Sequence, residues 1–286
     1  MDASKIPKPF RDDKFEILQK GVYDDENAEV YINQQKNFSF IYPVPVIDYF
    51  DYQPRFKKLN LGDYRKQLNV IERRLERIKN YLTSCKTLLE IGAGNGAFLE
   101  LVKKNYPTIE LSSVDKDKST EEQRKKNTTY DYDNFDSILK NGQKYDIVCL
   151  FHVLEHIVDP AVFLADLERM MHQNSLLIIE VPSLFDPLIS FFKCKPYSKF
   201  YFQLQHPFVY SQESLPRMLE VNGFKTTEIV NYQRYGLENH LNWLSCGKPG
   251  GDAGMKEIFG ELEGVYVEKL EKSGKTDTVI WVGKLI

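Results

Sequence analysis

The stretch LLEIGAGNGAFLELV, Leu88 to Val102, constrains the fold of this chain more than any other. An apolar run carrying a single acid, Glu90, ends in Gly92, Gly94 and Gly96, after which apolar residues return at helical spacing. A strand that passes through such a turn into a helix brings backbone N–H groups and the positive end of the helix to one point. A polar or anionic ligand can approach closely there. The alternation continues downstream. ELSSVDKD reads as a second strand, and YDIVCLF and SLLIIEVPS as strands apolar enough to be buried on both faces. Between these last two lies AVFLADLERMM, an amphipathic helix. The helix ESLPRMLEVNG, the strand FKTTEIVNY, a helix around MKEIFGELEGVYVEKLEK and a last strand DTVIWVGKL complete the series. This pattern predicts an α/β protein with a doubly wound, mostly parallel sheet. The direction of the last strand stays open.

Upstream of Leu88 the pattern changes. FSFIYPVPVIDYFDY is rich in aromatics and proline and has no steady period. GDYRKQLNVIERRLERIKNYL follows, with Tyr64, Leu68, Ile71, Leu75, Ile78 and Leu82 at three- and four-residue spacing, an amphipathic helix. Its other face carries Arg65, Lys66, Arg73, Arg74, Arg77 and Lys79 with Glu72 and Glu76 between them, and reads as a solvated surface of i,i+4 pairs. A net charge of −3 over 286 residues gives no general attraction to nucleic acid. No run approaches about 18 uninterrupted apolar residues, so no membrane span is expected. MDASKIPKPFRDDKF lacks the apolar centre of a signal peptide. Cys85, Cys149, Cys194 and Cys246 lie far apart with no Cys-x-x-Cys pair, which points to reduced thiols and a cytoplasmic location.

The glycine spacing discriminates further. A dinucleotide-binding turn reads G-x-G-x-x-G; here the third glycine comes one position early, which argues against a nicotinamide-dependent dehydrogenase. Asp115 closes the next strand, where an acid can accept both ribose hydroxyls of a nucleoside.

The combination of E-x-G-x-G-x-G, Asp115 and the run Asp146 to Pro160, of the form D-hydrophobic-V-x-x-x-H-V-L-E-H-hydrophobic-x-D-P, resembles class I S-adenosylmethionine-dependent methyltransferases. More narrowly it resembles their small-molecule branch with an HVLEH strand-four motif, as does HPFVYSQESLPRMLEVNGF. The resemblance covers about Leu88 to Tyr232. It implies a Rossmann-like sheet with a helical N-terminal lid: an extension and lid helix over residues 1–82, and a methyltransferase domain over 83–286 with an acceptor-binding insertion around 184–210. It implies S-adenosyl-L-methionine as cofactor, with Glu90 orienting its amino group and Gly92, Ala93, Gly94, Asn95 and Gly96 passing under its methionine part. Asp115 and Lys116 would stand at the ribose, and the adenine contact would come from Asp133 with Asn134, or else from Asp131. Phe151 and His152 would line the pocket.

FHVLEH also fits the H-x-x-E-H pattern of one class of zinc peptidase. That chemistry needs His152 and His156 on one face of a helix, with a distant third ligand. YDIVCLF runs as a strand up to Phe151, however, and Asp159-Pro160 supplies the N-cap and first-turn proline of the next helix. The seven residues between leave room for a bend and hardly for a metal-bearing helix, so no metal is expected. Glu155 and His156 are expected to cap and tie the turn.

Transfer of a methyl group to oxygen requires removal of the acceptor's proton, commonly by His, Asp or Glu. The candidates are His206, in the aromatic stretch FQLQHPFVYS, then His152 and His240; His172 reads as an exposed helix-end residue. FFKCKPYSKFYFQLQHPF sets Lys193, Lys195 and Lys199 among aromatic rings, which would suit a sugar or phosphorylated acceptor. The expected activity is methyl transfer to a small polar acceptor, with O-methylation of a saccharide, nucleotide-sugar or phosphorylated metabolite favoured. The rivals are N-methylation of an amino sugar or amine, and a non-catalytic cofactor-binding partner subunit. The sequence sets no oligomeric state.

Overall fold

The computed structural model describes residues 3–45, 64–251 and 253–286. Residues 46–63, the remainder of the aromatic and proline-rich stretch and the approach to the first long helix, lie outside the described residues, as do the side chains of 64–68. The strands are β1 (Phe15–Lys20), β2 (Glu29–Asn33), β3 (Ser39–Tyr42), β4 (Thr87–Ile91), β5 (Glu110–Val114), β6 (Tyr130–Tyr132), β7 (Tyr145–Phe151), β8 (Met171–Pro182), β9 (Phe208–Val209), β10 (Phe224–Tyr232) and β11 (Thr278–Leu285). The α-helices are α1 (Tyr64–Leu82), α2 (Ala97–Asn105), α3 (Glu121–Lys125), α4 (Phe135–Asn141), α5 (Pro160–Arg169), α6 (Pro187–Ser190), α7 (Lys195–Tyr201), α8 (Ser214–Glu220), α9 (Leu237–Cys246) and α10 (Ala253–Ser273).

Seven strands form the main sheet in the order β10-β11-β8-β7-β4-β5-β6. β4 to β8 are parallel neighbours, and β11 runs antiparallel between β8 and β10, which settles the direction of the last strand. Side chains alternate between the faces as the pleat dictates. Leu89, Val148, Leu150, Leu177 and Ile179 pack with Leu164 and Leu167 of α5 and with α8. Leu88, Ile147, Cys149 and Ile178 pack on the other face with Leu75, Ile78 and Leu82 of α1 and Phe98, Leu99 and Val102 of α2. Each such leucine or isoleucine is worth about 2–5 kcal/mol against alanine. The chain order reverses around β4, with β5 on one side and β7 on the other, and the crevice above their carboxyl ends is where open α/β sheets take ligands.

The helix expected before residue 82 is present, and its apolar side is part of this core. The residues ahead of it add a feature that the expected helical lid lacked. β1, β2 and β3 form an antiparallel sheet that continues into β9, with Phe40 opposite Phe208 and Ser39 opposite Val209. Val30, Ile32 and Ile41 of that sheet share a core with Leu188, Tyr197 and Phe202 of the 184–210 segment. The N-terminal strands and the insertion are therefore one structure, seated beside the carboxyl end of β8 through a bridge from Ser183 to Tyr210. No helix among the described residues is long and apolar enough to cross a membrane.

Candidate active site

The glycine turn sits at the end of β4. Gly92, Gly94 and Gly96 all take positive φ, at 72°, 54° and 76°. At Gly92 a Cβ would also lie 2.5 Å from Cγ2 of Val153, so both the backbone angle and the space require glycine. Gly94 has open space beside it and needs glycine for its φ alone. Its N–H donates to Oδ2 of Asp115 at 2.7 Å, while Oδ1 of the same carboxylate accepts from the N–H of Asp117 at 2.7 Å. Asp115 and the following Lys116 thus stand beside the turn at the end of β5. Asn95 accepts from the N–H of Ala97 and orders the first turn of α2; Ala93 is buried beneath. From behind, the buried Arg124 donates to the carbonyl of Gly94 at 2.8 Å and that of Asp117 at 2.9 Å, and pairs with Asp131 at 3.0 Å.

Glu90 lies under this turn, 4% exposed, and its Oε2 meets no hydrogen-bond partner among the described residues. Burial pushes its carboxyl up to about 8, against the pull of Arg74, with nearby Asp115 adding to the rise. A buried carboxyl with one oxygen unsatisfied is costly unless something else satisfies it. The arrangement fits a ligand with a donor or cationic group over Glu90 and hydroxyls at Asp115.

The candidates beyond β6 differ in their partners. Oδ1 of Asp131 accepts from Arg124 and from the Ser113 hydroxyl at 2.5 Å. Asn134 spends its side chain capping α4 through the N–H of Ser137 at 3.0 Å. Asp133 is exposed and paired with Lys118.

Phe151 ends β7, its ring 4.8 Å from that of Phe98 and 4.3 Å below the guanidinium of Arg74. His152 follows at φ 58°, a strained value for a non-glycine residue and one that clusters at functional sites. Its Nδ1 lies 3.0 Å from Oε1 of Glu155 and its Nε2 lies 2.8 Å from Nη1 of Arg234. The same Nε2 lies 3.0 Å from Oε1 of the buried Glu180, so His152 stands between the carboxylates of Glu155 and Glu180 beside Arg234. Residues 154–156 make a single 3-10 turn, so His152 and His156 share no helix face, and the zinc-peptidase arrangement is not formed. Glu155 and His156 do tie the turn as expected: Glu155 holds His152, and His156 donates from Nδ1 to the carbonyl of Gln205 at 2.7 Å.

That last bond brings the 184–210 segment to the end of β7. The rings of His156 and His206 are 4.8 Å apart, and His206 is half-buried. Burial first, and then His156, push the imidazole of His206 down to about 3, so it is neutral across the physiological range. Burial would raise the carboxyl of Glu155, but His152 and the other histidines outweigh it and hold it down at about 2, ionised. His240 is elsewhere committed, with Nδ1 2.7 Å from the Tyr266 hydroxyl and Nε2 3.4 Å from the amide of Gln233. His172 pairs with Asp146 at 3.0 Å at the far end of β7. Lys193, Lys195 and Lys199 are exposed, and Lys199 pairs with Glu26. Tyr197 and Cys194 turn inward into the core shared with the N-terminal strands.

Several residues of this site went unnoticed in the sequence. Arg74 belongs to the face of α1 read as solvated, yet it is buried and grips Glu180 of β8 with two bonds of 2.8 and 2.7 Å. Arg73 donates to the carbonyl of Gln233 at 2.6 Å, and Arg77 pairs with Glu271. The available signal was Glu180 itself, a lone acid inside SLLIIEVPS, since a buried charge needs a partner. Arg234 and Asp277 were also missed: Asp277 accepts from the N–H groups of Arg234 and Tyr235 and fixes the loop that delivers Arg234.

Residues 64–229 match the family model described as a methyltransferase domain. A ubiquinone biosynthesis O-methyltransferase of Coxiella burnetii is 25% identical over 199 residues, 60% of this chain and 82% of that protein. The structure of a SAM-dependent methyltransferase from Archaeoglobus fulgidus superposes with a TM-score of 0.54 at 22% identity, over 83% of this chain and all of that one. The plantazolicin methyltransferase BpumL, solved in complex with SAH, superposes with a TM-score of 0.50 at 14% identity, over 82% of this chain and 91% of that one. The two structures share the fold.

Proposed function

The chain belongs to the methyltransferase-domain family, and from that membership we propose that it is an S-adenosylmethionine-dependent O-methyltransferase of a small hydroxylated acceptor, such as a saccharide, nucleotide-sugar or phosphorylated metabolite. The observation that carries the cofactor is Glu90, a buried carboxyl with an unsatisfied oxygen beneath a turn of three positive-φ glycines and beside Asp115. The cofactor's ammonium would satisfy Glu90, its methionine part would lie along Gly92 to Gly96, and its ribose hydroxyls would take Asp115. Lys116 would flank the ribose. Asp133 is the acid left for the adenine amino group, because Asp131 and the side chain of Asn134 hold the protein together. Phe151 and His152 would form the floor.

When bound, S-adenosylmethionine supplies an electrophilic methyl on a sulfonium whose departure needs no acid. The remaining requirements fall on the chain. It must align the acceptor oxygen with that methyl, exclude water, and draw off the hydroxyl proton. Glu155, His156 and His206 meet beyond the carboxyl end of β7, where the 184–210 segment reaches the turn, and an acceptor oxygen there would find the neutral imidazole of His206 and the carboxylate of Glu155. The name of the Coxiella relative, an O-methyltransferase, supports oxygen over nitrogen as the receiving atom. An acceptor screen with isotopically labelled S-adenosylmethionine tests this reading: label should appear on oxygen, with turnover suppressed in His206→Ala. Transfer exclusively to nitrogen would overturn it.

A further inference from the structure

We propose that the turn between α6 and α7, together with the end of α9, docks the protein on the surface of an anionic phospholipid bilayer. Phe191 is 74% exposed and Phe192 37%, with their rings 5.0 Å apart at the tip of the turn. A single exposed apolar residue is ordinary, whereas two adjacent phenylalanines held out together mark a surface that meets something apolar.

Their exposure is built into the turn. The N–H groups of Phe191 and Phe192 both donate to the carbonyl of Pro187, at 3.0 and 2.8 Å, and that of Cys194 donates to Leu188 at 2.8 Å. Lys193 takes φ 53°, which a residue with a side chain holds only when its surroundings fix it. Ile189, Cys194 and Tyr197 enter the core on either side of the tip, so the turn is anchored from within. Sγ of Cys194 meets the carbonyl of Trp243 at 3.6 Å, and a Cβ on Gly247 would stand 3.3 Å from Pro196. The end of α9 therefore lies alongside, with Leu244 43% exposed.

Charge selects the occupant. Lys193, Lys195 and Lys248 are exposed and make no ion pair among the described residues. The chain has no Asp or Glu between Asp186 and Glu213, or between Glu238 and Asp252, to offset them within these two segments. Apolar rings ringed by lysines suit a bilayer boundary: the rings enter the acyl edge and the ammonium groups reach lipid phosphates. Two rings fall well short of the roughly 800 Å² that each side of a stable protein pair buries, whereas a bilayer has no shape to match. The lysines that read as the wall of an acceptor pocket thus serve an outer surface. α6 follows β8, α9 follows β10, and these strands run in the same direction, so the docking face lies at the crevice end of the sheet.

The test uses full-length protein without S-adenosylmethionine, sedimented with unilamellar vesicles of phosphatidylcholine, alone or with roughly a third phosphatidylglycerol. The protein should pellet with the anionic vesicles only and be released by salt. Phe191→Ser with Phe192→Ser should weaken binding ~10-fold or more. Lys193→Gln, Lys195→Gln and Lys248→Gln should each weaken it ~5-fold. Thermal melting checks that each variant folds, and Phe191→Ser alone, at the most exposed position, serves if the double variant melts early. Folded wild-type protein that stays in solution beside anionic vesicles overturns the proposal. Equal uptake by neutral vesicles does so too, as does binding that all the variants retain. A dimer that Phe191→Ser dissolves, with no vesicle binding, would assign the face to a second copy and overturn it as well. Docking without affinity for S-adenosylmethionine would sustain this face and sink the methyl-transfer reading; cofactor binding without docking would do the reverse.

Discussion

Arg74 and Glu180 form a buried two-pronged ion pair, 2.8 and 2.7 Å, that fastens α1 to β8 beneath the crevice. Burial alone would raise the carboxyl of Glu180, but the Arg74 guanidinium, with help from His152, reverses the sign and holds it well below the ordinary range. Removing one partner strands the other. Arg74→Met should cost about 3–5 kcal/mol in urea unfolding, and Arg74→Met with Glu180→Leu should recover much of that. Because the folded carboxyl titrates below the unfolded one, this stability is present above about pH 4 and is lost as the pH falls further. Wild-type stability should therefore drop between about pH 4 and pH 2, and the double variant should lose that component of the drop.

The glycine turn predicts an ordered pair of effects. Gly92→Ala meets both a wrong φ and Val153 at 2.5 Å, whereas Gly94→Ala meets only the φ. Thermal melts should show about 2–3 kcal/mol lost at Gly92 and about 1 kcal/mol at Gly94. Equal losses would mean that the contact with Val153 relaxes freely.

Glu90 links cofactor binding to protons. With its carboxyl raised to about 8, it is mostly protonated at pH 7, and an ammonium placed over it favours the ionised form. Binding at pH 7 should release close to one proton, measured by calorimetry in buffers of different ionisation enthalpy. The release should fade above pH 8 and vanish in Glu90→Gln. The same raised value means that stability from Glu90 is full below about pH 4.3 and declines as the pH rises through 8.

The two acids after β5 and β6 should part company. Asp133→Ala, on an exposed residue, should weaken cofactor binding while shifting stability by no more than about 0.5 kcal/mol. Asp131→Ala leaves Arg124 buried and unpaired and should cost about 3–5 kcal/mol. Cofactor affinity untouched by Asp133→Ala would remove it from the adenine site.

The parts of this fold that were legible in the sequence are those whose constraint is local. YDIVCLF and SLLIIEVPS read as two-faced strands because every residue in the run must suit the core, and Gly92, Gly94 and Gly96 read as a turn because positive φ selects glycine. Relations between distant segments left weaker marks. β3 is four residues long and its partner β9 two, joined across more than 160 residues, and neither carries a period long enough to notice. Helical spacing found the apolar side of α1 at Leu75, Ile78 and Leu82 but could not reveal that Arg74, on the face read as solvated, points at Glu180 and not at water. For the same reason His156 and His206, fifty positions apart, gave no sign of meeting.

The most direct measurement is calorimetric titration of the folded, ligand-free protein with S-adenosylmethionine, beside Asp115→Ala. The account predicts one-to-one binding to the wild type and a large loss of affinity in the variant, whose cooperative melting shows that the fold survives without the bond from Gly94 to Asp115. Wild-type protein that is folded and does not bind S-adenosylmethionine would contradict it.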